Sequence, residues 1–325
     1  MEAICTIITG NYGHYALALH DSILKFNSSI HFYIFVSEGD LEELIKNEIK
    51  KRTNVHLLSR LDFKDSVLTE KLYDKYAVNS HDALRWSMKP VVMNYLLNSI
   101  YERVVYVDSD IHFFGDYQFL FESLKTNAIL LSPHWRSSNP KVDFDNFKLN
   151  FLDGIYNGGF IGASRLGKEA LEYWATLCLF SCEVNRIEGF FVDQKYLDLL
   201  PSRFQNVESI RHKGCNVANW NQIDCERTFN ESGEILINNK YPIVFIHFTK
   251  SFFRGVLKES DSKLLSYLEY YRDVLLKYSS NDVIQEFLKD ENKIQNKIEK
   301  RKSFILIQFC RKVKEKIICF YSKFQ

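Results

Sequence analysis

An apolar, β-branched run, Val104-Val105-Tyr106-Val107, stops abruptly at Asp108-Ser109-Asp110. A run of this kind reads as a strand covered on both faces, which requires a sheet with helices packed on either side. Residues two apart on a strand face the same way. Asp108 and Asp110 can therefore direct two carboxylates at one point just past the strand's C-terminal end, the edge where ligands sit in open α/β sheets. Hard oxygen donors there suit Mg²⁺ or Mn²⁺, ions that bind through one or two carboxylates plus substrate phosphates.

The rest of the chain supports an α/β class. Ile4–Thr9 reads as a strand, Gly10-Asn11-Tyr12-Gly13 as a turn, and Tyr15–Phe26 carries helical spacing. A second strand at His31–Ser37, an amphipathic helix at Leu41–Lys51 and a short strand at Val55–Leu58 follow. This alternation predicts a mostly parallel sheet. Ala83–Leu97 reads as helical despite Pro90, a residue suited to start the helix's main part, and Arg85 and Lys89, four apart, are expected on one helix face as a basic pair. Further strands are expected over Ala128–Ser132, Gly154–Gly162 and Ile243–Phe248, and helices over Lys168–Cys182 and Asp193–Leu200. Ser137–Asn150 is expected to be a polar, mobile loop over a site. From Leu264 onward the chain reads as helix with polar breaks.

Several segments carry chemistry. Gly10-Asn11-Tyr12-Gly13 is either a simple strand-to-helix turn or a contact for a base and ribose. The paired glycines of Tyr156-Asn157-Gly158-Gly159-Phe160 weaken a strand and make sense where a ligand or another backbone comes close. Asn157 would then offer an amide to sugar hydroxyls. In Phe191-Val192-Asp193-Gln194, Asp193 is either an N-cap or a substrate contact. Gly214-Cys215-Asn216-Val217-Ala218-Asn219-Trp220-Asn221 packs three asparagines around a tryptophan, a costly group to bury idle. His247 closes an apolar strand and can supply an imidazole to Mn²⁺. Lys250 then lies within reach of a departing phosphate.

Composition sets limits. With 325 residues, 46% of them hydrophobic, there is ample material for a core. The net charge of +1 does not suggest a nucleic-acid partner. Seven scattered cysteines without a Cys-x-x-Cys pair, and an N-terminus without a basic leader region, point to a reducing, cytoplasmic setting. Residues 301–325 hold seven Lys or Arg and one acid. Leu306, Phe309, Val313, Ile317, Phe320 and Phe324 recur there at helical spacing. That pattern describes a basic interfacial helix on the inner face of the cell membrane, attracted to anionic lipid, or else a helix docked on the body or on a second subunit. An oligomer is compatible with the sequence.

In this order, Asp108-Ser109-Asp110, Tyr156-Asn157-Gly158-Gly159, Asp193-Gln194 and His247 with Lys250 resemble a GT-A glycosyltransferase, and the order is similar to glycosyltransferase family 8, the retaining galactosyl- and glucosyltransferases. A closer likeness is to bacterial cell-surface polysaccharide (O-antigen or capsule) glycosyltransferases. It is carried by Tyr106–Ile111, Gly154–Phe160, Phe191–Lys195, Gly214–Asn221 and Ile246–Phe248 and spans residues 1–255. The family 8 ending of His, a Gly three residues later and Lys-Pro-Trp is replaced by His247-Phe248-Thr249-Lys250-Ser251.

The resemblance implies a Rossmann-like GT-A fold: a mixed, mostly parallel sheet flanked by helices over 1–255, with a helical C-terminal extension over 256–325. It implies Mn²⁺ or Mg²⁺ on Asp108, Asp110 and His247, with Asp108 reaching the metal or the ribose. A UDP-sugar donor would be held by Thr9, Asn11, Tyr12, Arg85, Lys89, Ser109 and Lys250, and its sugar by Asn157, Gly158, Asp193 and Gln194. Asn219, Trp220 and Asn221 would lie near the donor or acceptor sugar. The acceptor would be a saccharide, free or lipid-linked. An inverting reaction would need a base, with Asp193 and Asp153 as candidates; a retaining one, which the family 8 likeness favours, would not. The rival readings are a sugar-1-phosphate nucleotidyltransferase and a non-catalytic scaffold of the same fold.

Overall fold

In a computed structural model of the chain, residues 1–78, 80–258 and 260–293 are described. A seven-stranded sheet runs β10 (Val207–Ser209), β6 (Ile129–Pro133), β7 (Tyr156–Ser164), β4 (Arg103–Val107), β1 (Glu2–Thr9), β2 (His31–Glu38) and β3 (Val55–Leu58). Only β7 is antiparallel to its neighbours, β4 and β6; the remaining pairs are parallel. The short strand β5 (Ile111–Phe113) leaves this sheet and pairs antiparallel with β14 (Phe245–His247). A hairpin, β8 (Val184–Asn185) with β9 (Phe190–Phe191), and a small antiparallel sheet of β11 (Arg227–Phe229), β12 (Ile235–Ile237) and β13 (Tyr241–Pro242) complete the strands.

Alternation along the strands divides the core in two. Ala3, Cys5 and Ile7 of β1 face a layer built by α3 (Val67–Tyr76), α4 (His81–Ser87), α5 (Lys89–Leu97) and α8 (Lys168–Phe180). Ile4 and Ile8 face the opposite layer of α1 (Gly13–Leu24), α2 (Glu43–Lys50) and α6 (Gln118–Ser123). The sheet is therefore dry on both sides, as the Val104–Val107 run required, and its polar groups are left to the strand ends.

Three expectations are corrected. The helical stretch Ala83–Leu97 has Pro90 starting its main part as expected, in the first turn of α5, where its missing N–H costs nothing, but it is divided into two helices that meet at Met88. Arg85 and Lys89 accordingly do not share a helix face. The Ser137–Asn150 loop contains α7 (Phe144–Leu152), whose N-cap Asp143 accepts from Asn146 N at 2.9 Å. Past Asp193 the chain forms a 3-10 turn, Gln194–Leu199, and then the short α9 (Leu200–Arg203); the Asp193 side chain caps nothing. The boundary at 255/256 falls inside α10 (Lys250–Leu257), and the first compact unit runs on through α11 (Leu265–Leu275) to Ser279. The second unit starts at Ser280, and its described part is helical from 283 to 293. The amphipathic stripe of residues 301–325 lies outside the described residues.

Candidate active site

Local geometry brings together residues far apart in sequence. Past β4, the Asp108 amide donates to Gly159 O at 2.9 Å, and the Ile111 amide to Asp108 O at 3.1 Å, so the Asp-Ser-Asp segment is a tight turn into β5. The β5–β14 register sets Ile111 opposite His247, and the Phe248 amide donates to Asp110 O at 2.8 Å. His247 Nε2 consequently sits 3.1 Å from Asp110 Oδ1 and 3.8 Å from Asp108 Oδ2. One ligand atom from each of Asp108, Asp110 and His247 lies within 4.8 Å of the others. Two oxygens and an imidazole nitrogen at such spacings fit a divalent ion with bonds of about 2.1 Å. Burial would lower the His247 pKa, but Asp110 and Asp108 outweigh it and raise it.

Gly159 makes the approach possible. A Cβ there would stand 2.4 Å from His247 Cε1, 2.7 Å from Asn157 Oδ1 and 3.0 Å from Asp108 Oδ2. Gly159→Ala is therefore expected to push Asp108 and His247 apart and, if the cluster holds a metal, to weaken Mn²⁺ binding by about a hundredfold, read by calorimetric titration. Unchanged Mn²⁺ affinity would refute the cluster as a metal site.

Lys89 is buried behind this cluster. Its Nζ donates to Gly158 O at 2.8 Å and lies 3.3 Å from Asp108 Oδ1 and 3.2 Å from Asp193 Oδ2. Its contacts are one hydrogen bond, to Gly158 O, and two ion pairs. Lys89 therefore sits, 2% exposed, between Asp108, at the end of β4, and Asp193. Tyr106 donates to Asp108 Oδ1 at 2.6 Å. Burial would raise the Asp108 carboxyl, but Lys89, His247 and Tyr106 together hold it below its usual value. Lys89 is raised, since the two carboxylates outweigh its burial.

Asp193 behaves differently. Burial pushes its carboxyl from 3.8 up to about 6 against the pull of Lys89. Its backbone carbonyl is fixed by Trp174 Nε1 at 2.9 Å. The folded chain holds this proton more tightly than the unfolded one, so the group's contribution to stability declines as pH rises from about 4 to about 6. If Asp193 acts as a carboxylate on the donor sugar, activity takes the opposite sign, because protonation removes that charge. Turnover is expected to fall as pH drops through about 6, and Asp193→Asn should give a low, flat profile across that window. A wild-type profile that stays level there would remove the carboxylate from the reaction.

Asn157 and Gln194 come together as expected, but their amides hold the frame. Gln194 Oε1 accepts from Gly158 N at 3.0 Å and from Asn157 Nδ2 at 3.3 Å, and its Nε2 donates to Asp153 O at 2.8 Å. Asn157 Oδ1 accepts from Gly159 N at 3.0 Å, and its Nδ2 meets His134 Nε2 at 3.2 Å. Asp153 is engaged by two guanidiniums, Arg186 at 2.7 Å and Arg136 at 3.3 Å, so neither carboxylate oxygen stands free as a base.

Asn221 is also structural. It accepts from Ala218 N at 3.2 Å and from Arg227 Nη2 at 3.1 Å, and donates to Asn216 O at 2.9 Å. Arg227 in turn is held by the buried Asp261, 2.9 Å away. This turn carries Trp220, whose ring stands edge-on to His247 at 5.4 Å and to His134 at 5.5 Å. Buried side-chain atoms without a partner cluster here: both amide atoms of Asn216, Asn219 Oδ1, Trp220 Nε1 and His247 Nδ1. Such atoms call for a ligand or water.

At the first βα turn, Thr9 Oγ1 donates to Asn11 Oδ1 at 2.7 Å, and Tyr12 is exposed, with Tyr15 on one side at 5.4 Å and the Arg85 guanidinium 5.9 Å from its ring. Arg85 is tied to Asp82 at 2.7 Å. Ser109 is half-buried in the Asp-Ser-Asp turn, and Lys250 is exposed in the first turn of α10. Sequence reasoning passed over His134, Tyr106, Arg136 and Arg186. Burial, and then Arg136, keep the His134 imidazole well below its ordinary pKa and hence neutral. Its signal was the one that marked Asp108: a polar residue just past a buried strand, here Ser132-Pro133-His134.

No protein-family model matches the chain. Among solved structures, the galactosyltransferase LgtC, in complex with donor and acceptor sugar analogs, superposes with a TM-score of 0.54 at 13% identity, over 86% of this chain and 96% of that one. The chain has the GT-A glycosyltransferase fold. Two Bacillus subtilis (strain 168) proteins are similar in sequence. YfnF is 29% identical over 256 residues, covering 76% of this chain and 81% of that protein. YfnD is 26% identical over 170 residues, covering 50% and 52%. In GT-A terms, the Asp108–Asp110–His247 cluster lies at the C-terminal end of the central parallel strands, beside the antiparallel β7.

Proposed function

We propose that this chain is a metal-dependent glycosyltransferase that moves a hexose from a UDP-sugar to a saccharide acceptor. The observation that carries the reading is the convergence of Asp108, Asp110 and His247 within 4.8 Å at the ligand-binding edge of a GT-A sheet. These three residues would hold Mn²⁺ or Mg²⁺, which supplies Lewis-acid neutralisation of the leaving diphosphate. Lys89 and Tyr106 keep Asp108 ionised and aimed. Asp193 presents the one buried carboxylate that shares its charge only with Lys89. Trp220 walls the cluster from the far side, and the exposed Tyr12 offers a ring for the base.

The pairing of Asp193 with Lys89 and of Asp153 with two arginines supports retention, because an inverting reaction needs a carboxylate free to take the acceptor's proton. The acceptor is proposed to be lipid-linked, in bacterial surface polysaccharide synthesis, with the enzyme peripheral on the inner membrane face. No helix among the described residues is long and apolar enough to cross a membrane. The test is a panel of nucleotide-sugars with Mn²⁺ or with EDTA. Release of UDP that requires Mn²⁺ and is faster with a saccharide acceptor is expected; full activity in EDTA would end the metal reading. Pyrophosphate release from UTP and a sugar phosphate would replace the proposal by nucleotidyl transfer.

A further inference from the structure

A buried polar network runs from the end of β6 to the candidate metal cluster, and two main-chain groups settle its hydrogen-bond directions. His134 follows β6 directly and is 2% exposed. Its Nδ1 lies 3.2 Å from Ile155 O, and its Nε2 lies 3.2 Å from Asn157 Nδ2. A carbonyl oxygen can only accept, so Nδ1 carries the ring proton. At the other end, the Gly159 amide donates to Asn157 Oδ1 at 3.0 Å. A main-chain N–H can only donate, so Asn157 turns its oxygen to Gly159 and its NH₂ to His134. Burial, and then Arg136, keep the imidazole neutral. Nε2 is therefore a bare acceptor for the Asn157 amide. The tautomer of His134 and the orientation of Asn157 fix one another.

Asn157 passes this order on to the cluster. Gly159 O accepts from the Asp108 amide at 2.9 Å. A Cβ on Gly159 would clash with His247 Cε1 and stand 3.0 Å from Asp108 Oδ2, so two of the three candidate ligands rest against the Gly159 backbone. The second hydrogen of the Asn157 NH₂ goes to Gln194 Oε1 at 3.3 Å, and Gln194 is itself tied to Gly158 N and Asp153 O. His134 is thus one of two holds on that amide. Its other bond is dispensable, because Ile155 O already accepts from the His134 main-chain amide at 2.8 Å. What the imidazole alone supplies is the acceptor at Nε2. We propose that His134 is a positioning residue for the candidate metal site: through Asn157 it fixes the Gly159 backbone beneath Asp108 and His247. This inference rests on the reading of Asp108, Asp110 and His247 as a metal site. Partners one layer behind metal ligands orient them, and their loss lowers affinity by about ten- to a hundredfold.

Two measurements test it. In the wild-type chain with isotopically labelled histidine, ring-nitrogen NMR at neutral pH is expected to show His134 protonated at Nδ1 and bare at Nε2. A proton on Nε2 overturns the proposal. The second measurement is calorimetric titration with Mn²⁺ alone. His134→Leu removes the acceptor and is expected to weaken Mn²⁺ binding by about tenfold. His134→Gln can offer its Oε1 to Asn157 and is expected to bind Mn²⁺ as the wild type does. Both variants lose the bond from Nδ1 to Ile155, so their melting temperatures should fall alike, and only the acceptor separates them. Asn157→Ala removes the amide in between and is expected to match the loss in His134→Leu, which keeps the comparison open where the leucine variant does not fold. Wild-type Mn²⁺ affinity in His134→Leu or in Asn157→Ala, or equal losses in His134→Leu and His134→Gln, overturns the proposal and leaves the metal reading standing. A wild-type chain that binds no Mn²⁺ ends the metal reading and this inference with it.

Discussion

Asp110→Ala is expected to lower Mn²⁺-dependent UDP release by about a thousandfold or more, the loss of several kcal/mol of charge stabilisation at a leaving diphosphate. The physical reason is the position of its Oδ1, 3.1 Å from His247 Nε2, where on the proposed reading it would share the placement of one ion with a buried imidazole. Asp110 is a third exposed at its side chain, so its removal leaves no buried cavity and the chain should melt as the wild type does. Calorimetric titration with Mn²⁺ should show binding lost in the same variant. Turnover within a factor of a few of wild type would place the metal, or the chemistry, elsewhere.

Lys89→Met is expected to destabilise the fold by about 3–5 kcal/mol, because it strands the Asp108 and Asp193 carboxylates in the interior. In a domain of this size that lowers the melting temperature by roughly 10 °C. The lysine is only 2% exposed, with one carboxylate 3.3 Å and another 3.2 Å away. Adding Asp193→Asn to Lys89→Met should recover part of the loss, since it removes one of the two stranded charges. A single variant as stable as the wild type would show that the lysine's charge is not balanced by these aspartates. It would then be free to serve the diphosphate, as the sequence suggested.

The contrast between these two residues shows what a linear reading can reach. Asp110 follows a β-branched run, and its meaning comes from the period of one strand. Lys89 looked like half of a solvated basic pair with Arg85, because both were read on one continuous helix. The break at Met88 turns Lys89 inward and leaves Arg85 outside, tied to Asp82. The glycine and aspartate neighbours of Asn157 and Gln194 mark the two in the sequence, and the fold brings their amides together. Their amides, however, are occupied: Asn157 by Gly159, two residues on, and by His134, and Gln194 by Gly158 and the Asp153 backbone, so that only the Gly159 contact is local in the chain. The helix α7 carries Phe144, Phe147 and Phe151 at helical spacing behind the Asp143 cap, but the polar residues around them, from Ser137 to Asn150, mask that signal in the sequence.

What the sequence by itself determined is the α/β alternation, the central strand, the two carboxylates at its end and the glycine pair on β7. All of these follow from short-range rules: which residues suit a covered strand, which way alternate side chains point, and where a backbone must stay bare. Only the tertiary structure decided which distant groups meet. The antiparallel pairing of β5 with β14 carries His247 to Asp110, and the packing of α5 against β4 and β1 buries Lys89 between Asp108 and Asp193. Such contacts are set by register and layer packing, which depend on the whole core at once, and separation along the chain carries no distance across it.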